Sequence, residues 1–279
     1  MTRQRLLRRA SAAPAYLFLS ILAIVSVFPL LWIVLSSFKD STELATDPIG
    51  MWPTSFTFEH YTHVLFDLGI LNNLGNSLII ALSTTVITIF VSATCAYGIV
   101  RFFPRVGQKL TQILISTYMF PPILLAVPYT LIMISLGLIN TYAGLVLAYL
   151  SFSIPYAVWM LTAFYQTVPL EIEEAAQVDG AGRWRVFATI ASPIVAPGIV
   201  ATAIYTFINS FNEFLFALLF INSSDRMPIT VALYSLSGSE VLDWGAMLAA
   251  SVVVVVPSVL FFLFIQRHIA AGLSEGSVK

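Results

Sequence analysis

The stretch EIEEAAQVDGAGRWRVFATIASPIVAP, residues 171–197, places a cluster of acidic and basic side chains in an otherwise apolar chain. Of the 279 residues, 58% are hydrophobic and only 10% are charged, and the mean hydropathy is +0.90. A soluble globular domain carries about 25% charged residues. The composition therefore predicts an all-α membrane protein, in which the charged stretch separates two membrane-spanning segments.

Uncharged segments of about 20 residues or more, the length that crosses the hydrocarbon core as a helix, predict six transmembrane helices. The third and fourth are separated at LGLINT, residues 136–141, where Gly137, Asn140 and Thr141 favour a turn. The predicted organisation is a basic head at 1–13, a transmembrane domain at 14–270 and a tail at 271–279. The six spans are expected at about 14–38, 74–100, 110–134, 142–166, 194–221 and 244–266.

The distribution of basic residues predicts the orientation of these spans. Six crossings put both termini on one side, and that side collects all of the 13 basic residues except Lys39 and Arg226. Because lysine and arginine accumulate in cytoplasmic loops, we expect the termini and the charged stretch in the cytoplasm. The net charge of −1 and the lack of a basic patch argue against nucleic acid as a partner.

The charged stretch itself reads as two short helices around a glycine hinge. Pro169 suits a first helical turn, and Glu171, Glu173 and Glu174 lie where the helix dipole favours negative charge. The run 179–182 (DGAG) then breaks the helix. A second helix from about Arg183 would present Trp184 and Phe187 on one face. Apolar side chains exposed beside charges indicate a docking site for a partner, with an ordinary solvated loop as the alternative.

The same residues resemble the EAA loop found in permease subunits of ABC importers. The resemblance rests on Glu174, Ala175 and Ala176, then Asp179, Gly180 and Ala181, then Ile190 and Pro193. Ser192 stands where the family pattern has a leucine. Two further stretches, FNEFLFALLF (211–220) and QRHIAAGLSEGSVK (266–279), are similar to the smaller permease of the carbohydrate, maltose-type branch.

This resemblance implies the type I ABC importer permease fold, with residues 169–192 as a cytoplasmic coupling loop that fits a cleft on an ATPase subunit. The residues implied to couple to the ATPase are Glu174, Ala175, Ala176, Asp179, Gly180, Ala181, Trp184 and Phe187. Residues of the tail implied to contact the ATPases are Gly272, Ser274 and Lys279.

The implied partners are a second, homologous permease, two ATPase subunits and an extracytoplasmic sugar-binding protein, assembled in the cytoplasmic membrane. ATP and Mg²⁺ would be bound by the ATPase subunits, because this chain has no phosphate-binding G-x-x-x-x-G-K-[ST] loop. No catalytic residue, cofactor site or metal site is predicted for the chain. The outer loops 39–73 and 225–243 are expected to face the binding protein.

Glu213 is the only ionisable side chain deep inside a predicted span, and Tyr205, Asn209 and Asn212 lie within two helical turns of it. A carboxylate in hydrocarbon is costly unless it faces water or a partner. These four residues are therefore candidates for the substrate pathway, where they would hydrogen-bond sugar hydroxyls. The alternative is that they tie helices together.

The predicted function is transport of a sugar, either a disaccharide or an oligosaccharide, by ATP-driven alternating access. Within the same class, glycerol phosphate, an amino sugar or a polyamine remains open as the substrate. An ion-coupled secondary transporter is disfavoured because Glu213 has no ionisable partner within the spans. An intramembrane serine protease is disfavoured because no predicted span holds a buried histidine.

Overall fold

The computed structural model describes the backbone of residues 2–238 and 242–275, and the side chains of residues 14–263 except Gln108 and 239–241. Within these ranges all regular elements are helical and no β-strand occurs. The residues divide into two compact units. The first contains the chain up to Ile70 together with 235–255, and the second contains Leu71–Tyr234 and the chain from Val256 onward.

The first unit is built on a long N-terminal helix and a short structured loop. Its helices are α1 (Thr2–Ser36), α2 (Ser41–Thr46) and α3 (Glu59–Thr62), followed by a π-helical turn (His63–Asp67) and the first part of α14 (Trp244–Glu275). From Pro14 onward α1 has a mean hydropathy of 2.7 in its most apolar window, and none of that window is buried. An apolar helix of this length with no buried residue in its most apolar window is typical of a transmembrane anchor.

The loop after α1 is organised around Lys39, a buried side chain whose environment the sequence did not predict. Its ammonium donates to the carbonyls of Asp47 (2.9 Å) and Gly50 (2.6 Å) and lies 3.8 Å from Oε1 of Glu43. The Glu43 carboxylate in turn accepts the N–H and the hydroxyl of Thr54. These bonds join both ends of the segment 39–54, so the outer loop is a folded element.

Replacing Lys39 with methionine is expected to loosen this loop. The carbonyls of Asp47 and Gly50 and the buried Glu43 carboxylate would lose their donor, and a buried group left unsatisfied costs about 1–3 kcal/mol. Chymotrypsin should then cleave faster at Trp52 and Phe56, which are 70% and 63% exposed. Lys109→Met, which removes an exposed lysine, is the control. An unchanged cleavage rate in the Lys39 variant would contradict this role.

The second unit packs around one central helix. Its helices are α4 (Ile70–Phe102), α5 (Pro104–Tyr118), α6 (Pro122–Ser135), α7 (Tyr142–Tyr165), α8 (Leu170–Val178), α9 (Arg183–Val186), α10 (Ser192–Ile194), α11 (Ala196–Phe211), α12 (Leu215–Phe220) and α13 (Ile229–Ser237). Of α13, the residues up to Tyr234 belong to this unit, and of α14, the residues from Val256 onward. A π-helical turn (Phe187–Ala191) joins α9 to α10. Helix α7 contacts α5, α11 and α12, and it contributes to both apolar clusters of the unit.

Four helices of the described chain are long and apolar enough to cross a membrane, and the number becomes six if two bent pairs each count as one span. The four are Pro14–Ser36, Ile70–Phe102, Tyr142–Tyr165 and Trp244–Leu263. The bent pairs are Pro104–Tyr118 with Pro122–Ser135, and Arg183–Ile194 with Ala196–Phe211. The first bend falls between α5 and α6, where Pro121 and Pro122 begin the new helix.

The predicted turn at LGLINT is confirmed in the structure. Gly137 and Asn140 have φ angles of +68° and +58°, the left-handed region that glycine and asparagine tolerate best. The Thr141 hydroxyl then accepts the N–H of Gly144 and caps α7. The short connection follows from these three residues.

Candidate functional site

The charged stretch forms two short helices separated by a sharp turn, as the sequence predicts. Helix α8 ends at Val178, and Gly180 follows with a φ of +84°. The Gly180 N–H donates to the Gln177 carbonyl (3.0 Å), and the Ala181 N–H donates to the Ala176 carbonyl (2.9 Å). This pair of bonds is the Schellman ending of a helix, which places glycine at the left-handed position. Gly180 therefore fixes the angle between α8 and α9.

The inner side of α8 is held by an ion pair. The Glu173 side chain is 1% exposed. Its Oε1 accepts hydrogen bonds from Nε (2.9 Å) and Nη2 (2.7 Å) of Arg101, which lies near the end of α4. The Tyr97 hydroxyl donates to the other carboxylate oxygen at 2.8 Å. Arg101 also donates to the carbonyl of Val168 (2.9 Å), in the linker after α7. One guanidinium thus joins α4, the end of α7 and α8.

Aromatic rings extend this anchor to the second helix of the charged stretch. The Phe187 ring lies 5.1 Å from Tyr97 and 6.3 Å from Tyr165, measured between ring centroids. Trp184 packs on Phe187 at 5.1 Å. Phe187, expected on the docking face, is only 9% exposed and instead anchors the segment, whereas Trp184 is 62% exposed.

The outer side of the same segment is open. Glu174, Ala175, Asp179 and Gly180 are exposed, and Ala176 and Ala181 are half-buried. Exposed apolar side chains stand beside them, with Val178 at 88% and Trp184 at 62%. The two neighbouring glutamates therefore differ: Glu173 is buried in an ion pair, and Glu174 is accessible. The sequence placed Glu173 with Glu171 and Glu174 near the helix N-terminus, but it did not predict the burial of Glu173 or its pairing with Arg101.

The tail residues expected to touch the ATPases lie largely beyond what the structure describes. Gly272 and Ser274 fall within the helical backbone of α14, in a part whose side chains are not described. Lys279 lies outside the described residues.

The predicted fifth span, 194–221, is not one continuous helix. Helix α11 ends at Phe211, and α12 begins at Leu215. The Glu213 carboxylate accepts the N–H groups of Phe216 (3.0 Å) and Ala217 (3.2 Å). These are among the first N–H groups of α12, which have no partner inside the helix. Glu213 thus starts a new helix, which corrects its expected position within a single span.

The four candidate pathway residues are brought together, three of them around a cavity and the fourth on a groove beside it. Tyr205, Asn209 and Glu213 line a space of about 250 Å³, together with Tyr118 and Tyr149. Asn212 lies on an adjoining groove that Asn209 and Glu213 share. Rings and a few polar groups around a concave space are typical of small-molecule sites, although the volume of this cavity lies just below their usual range of about 300–1,000 Å³.

Three tyrosines cluster beside this cavity, and two of them, Tyr118 and Tyr205, line it. The Tyr156 and Tyr205 rings stack with centroids 4.0 Å apart, and Tyr118 lies 5.7 Å from Tyr156. The hydroxyls of Tyr118 and Tyr205 are hydrogen-bonded to each other. Helices α5, α7 and α11 therefore meet at this aromatic cluster.

The two asparagine amides are partly occupied by the backbone. Nδ2 of Asn209 donates to the Tyr205 carbonyl (2.9 Å), and Nδ2 of Asn212 donates to the Ile208 carbonyl (2.8 Å). Each amide keeps its second hydrogen and its oxygen for another partner. Asn209 and Asn212 thus combine local backbone bonding with a place in the lining of the cavity and groove.

Comparison with known proteins identifies the class. Residues 88–275 match the model of the family described as "binding-protein-dependent transport system inner membrane component". The chain belongs to this family, and it is accordingly a membrane transport subunit of a binding-protein-dependent system.

Individual relatives match along nearly the whole chain. The diacetylchitobiose uptake system permease protein NgcG of Streptomyces coelicolor is 34% identical, over 97% of this chain and 90% of its own. The trehalose/maltose transport system permease protein MalG of Thermococcus litoralis is 33% identical, over 93% and 94%. A subunit of a bacterial ABC transporter that imports the acidic polysaccharide alginate has the same fold, with a TM-score of 0.81, 17% identity and coverage of 96% and 98%.

Proposed function

We propose that this chain is a membrane-spanning subunit of an ATP-driven importer of a disaccharide or oligosaccharide. The observation that carries the proposal is the form of segment 169–192: one side is anchored to α4 and α7, and the other presents Glu174, Val178 and Trp184 to a partner. The EAA pattern lies on this exposed side. Relatives whose names give sugars as substrates support the substrate class.

The exposed segment would seat in a cleft on an ATPase subunit. Glu174 would pair with a basic residue there, and Trp184 and Val178 would fill apolar pockets, because aromatic anchors beside a charge are common at the centre of interfaces. ATP and Mg²⁺ would be bound by that subunit. A second, homologous permease and an extracytoplasmic binding protein complete the assembly, with both termini of this chain in the cytoplasm.

Transport would proceed by alternating access. Closure of two ATPase subunits around ATP would move segment 169–192, and the helices joined to it would open the pathway toward the sugar-loaded binding protein. Hydrolysis would release the segment and return the pathway to the inward-facing state. Such a switch requires ligands that bind the two states with different affinities, here ATP on one side and the loaded binding protein on the other.

The docking role is tested by the association of the ATPase with the purified permease. Glu174→Lys reverses an exposed charge and is expected to reduce recovery of the ATPase subunit by about 10-fold or more, since a mispaired interface charge costs a few kcal/mol. Glu59→Lys, the same change at an exposed glutamate in the outer loop, should retain the ATPase. Equal recovery with both variants would contradict docking through this segment.

The cavity around Tyr205, Asn209 and Glu213 is the proposed sugar pathway within this subunit. Asn209→Leu removes the amide that faces both cavity and groove, and we expect sugar uptake to fall roughly 3- to 10-fold, the effect of one hydrogen bond of about 0.5–1.5 kcal/mol. ATPase association should remain normal. The control Asn222→Leu alters an exposed asparagine away from the cavity. Uptake unchanged in both variants would favour a structural role for these polar groups.

A further inference from the structure

The ion pair between Arg101 and Glu173 has a position that packing alone does not require. Helix α8 presents three glutamates, of which Glu171 and Glu174 are exposed. Glu173 points inward to the α4 guanidinium, whose second contact is the Val168 carbonyl. Burying two charges is costly, and an apolar pair of similar volume is often as stable. A buried pair at the base of a docking segment therefore suggests a role in orientation.

The geometry of the contact is directional. Arg101 donates to one oxygen of Glu173 through Nε and Nη2, and the Tyr97 hydroxyl donates to the other oxygen. A planar guanidinium in a low-dielectric site holds its partner in one orientation, which a flexible ammonium or an apolar contact does not. Tyr97 and Arg101 are four residues apart, so both lie on the same face of α4. A rotation of α8 cannot occur without moving this face or breaking the cluster.

We propose that Glu173, Arg101 and Tyr97 are positioning residues that transmit movement of the docking segment to α4 and α7. The proposal rests on the function proposed above, in which closure of the ATPase subunits moves segment 169–192. Through Arg101, displacement of α8 is carried to the end of α4, a helix of 33 residues, and to the Val168 carbonyl after α7. Glu174 contacts the partner, and Glu173 connects that contact to the spans.

A purely structural role predicts a different behaviour. If the pair only stabilises the fold, its loss lowers the amount of assembled transporter, and each assembled complex still moves as much sugar per ATP as before. If the pair transmits motion, assembled complexes hydrolyse ATP but move less sugar per ATP. The ratio of uptake to hydrolysis therefore separates the two roles, because it does not depend on the amount of complex.

The experiment measures this ratio in proteoliposomes with the complete complex and its sugar-loaded binding protein. Glu173→Gln keeps the shape of the side chain and removes the charge that holds Arg101. We expect the ratio to fall about 10-fold, within the usual range of coupling between sites. The control Glu171→Gln makes the same change on an exposed side chain of the same helix and should leave the ratio at the wild-type value.

A second variant keeps the test informative if Glu173→Gln does not assemble. Tyr97→Phe removes one hydroxyl from the cluster without opening a cavity, and it should lower the ratio by a smaller factor of about 2 to 5, as expected for one hydrogen bond. A wild-type ratio in either assembled variant would overturn the proposal. If the wild-type complex itself shows no hydrolysis linked to uptake, the proposed function fails instead, so the two failures are distinguishable.

Discussion

Replacing Gly180 with proline is expected to abolish sugar uptake, because this residue has two properties that proline lacks. Its φ is +84°, whereas proline is fixed near −65°, and its N–H donates to the Gln177 carbonyl. Loss of both would remove the Schellman ending and redirect α9 away from α8. A cost of about 3 kcal/mol, as for proline in a helix, corresponds to a decrease of about 100-fold.

The neighbouring glycine provides the control for this prediction. Gly182 has a φ of −68°, and nothing lies within 4 Å of a Cβ added there. Gly182→Ala is therefore expected to transport normally. Gly180→Ala should be intermediate, since a left-handed alanine costs roughly 1–2 kcal/mol without loss of the N–H. Uptake by Gly180→Pro at the level of Gly182→Ala would show that the turn is not needed.

Replacing Arg101 with methionine is expected to give the largest loss of stability among single substitutions of charged residues in the second unit. The Glu173 carboxylate would remain buried without its cation, and the Val168 carbonyl would lose a donor. Removing one partner of a buried ion pair costs about 3–5 kcal/mol. The thermal midpoint of the detergent-purified complex, followed by size-exclusion chromatography, should therefore fall clearly.

Two further variants separate charge from packing in this result. Arg105→Met removes an exposed arginine close by in sequence and should leave the midpoint unchanged. The double variant Arg101→Met with Glu173→Leu removes both charges and should recover much of the loss, because no unpaired charge stays buried. If the double variant is as unstable as Arg101→Met, the ion pair does not account for the effect.

The sequence predicted the parts of the fold that depend on local chemistry. The LGLINT turn needs left-handed residues and contains Gly137 and Asn140, which adopt positive φ. The ending of α8 likewise needs a glycine, and Gly180 supplies it. Apolar segments of sufficient length predicted the long helices, since backbone groups in lipid must be satisfied within the helix.

Contacts between residues distant in sequence could not be predicted in the same way. Nothing in the run Glu171, Glu173, Glu174 shows which carboxylate turns inward, because that depends on Arg101, 72 residues away. Glu213 was recognised as unusual, but its role in starting α12 depends on the chain breaking at Asn212. Lys39 was assigned to an exposed loop, and its burial depends on carbonyls 8 and 11 residues further on.

The different roles proposed for residues of segment 169–192 follow from which of their side chains are buried. Glu174 and Trp184 are accessible to a partner, whereas Glu173 and Phe187 hold the segment to α4 and α7. A docking element that is free on one side and anchored on the other can pass a displacement to the spans. The family to which the chain belongs moves solutes across the inner membrane, which gives that displacement a function.

The most direct test of the proposed function is ATP hydrolysis, in lipid, by the proposed complex of this chain with a second permease and two ATPase subunits. We expect the sugar-loaded binding protein to stimulate hydrolysis, and we expect uptake to stop when ATP is removed but to persist when ion gradients are collapsed. Uptake that continues without ATP and ceases with the ion gradient would contradict it, and would make the chain an ion-coupled transporter.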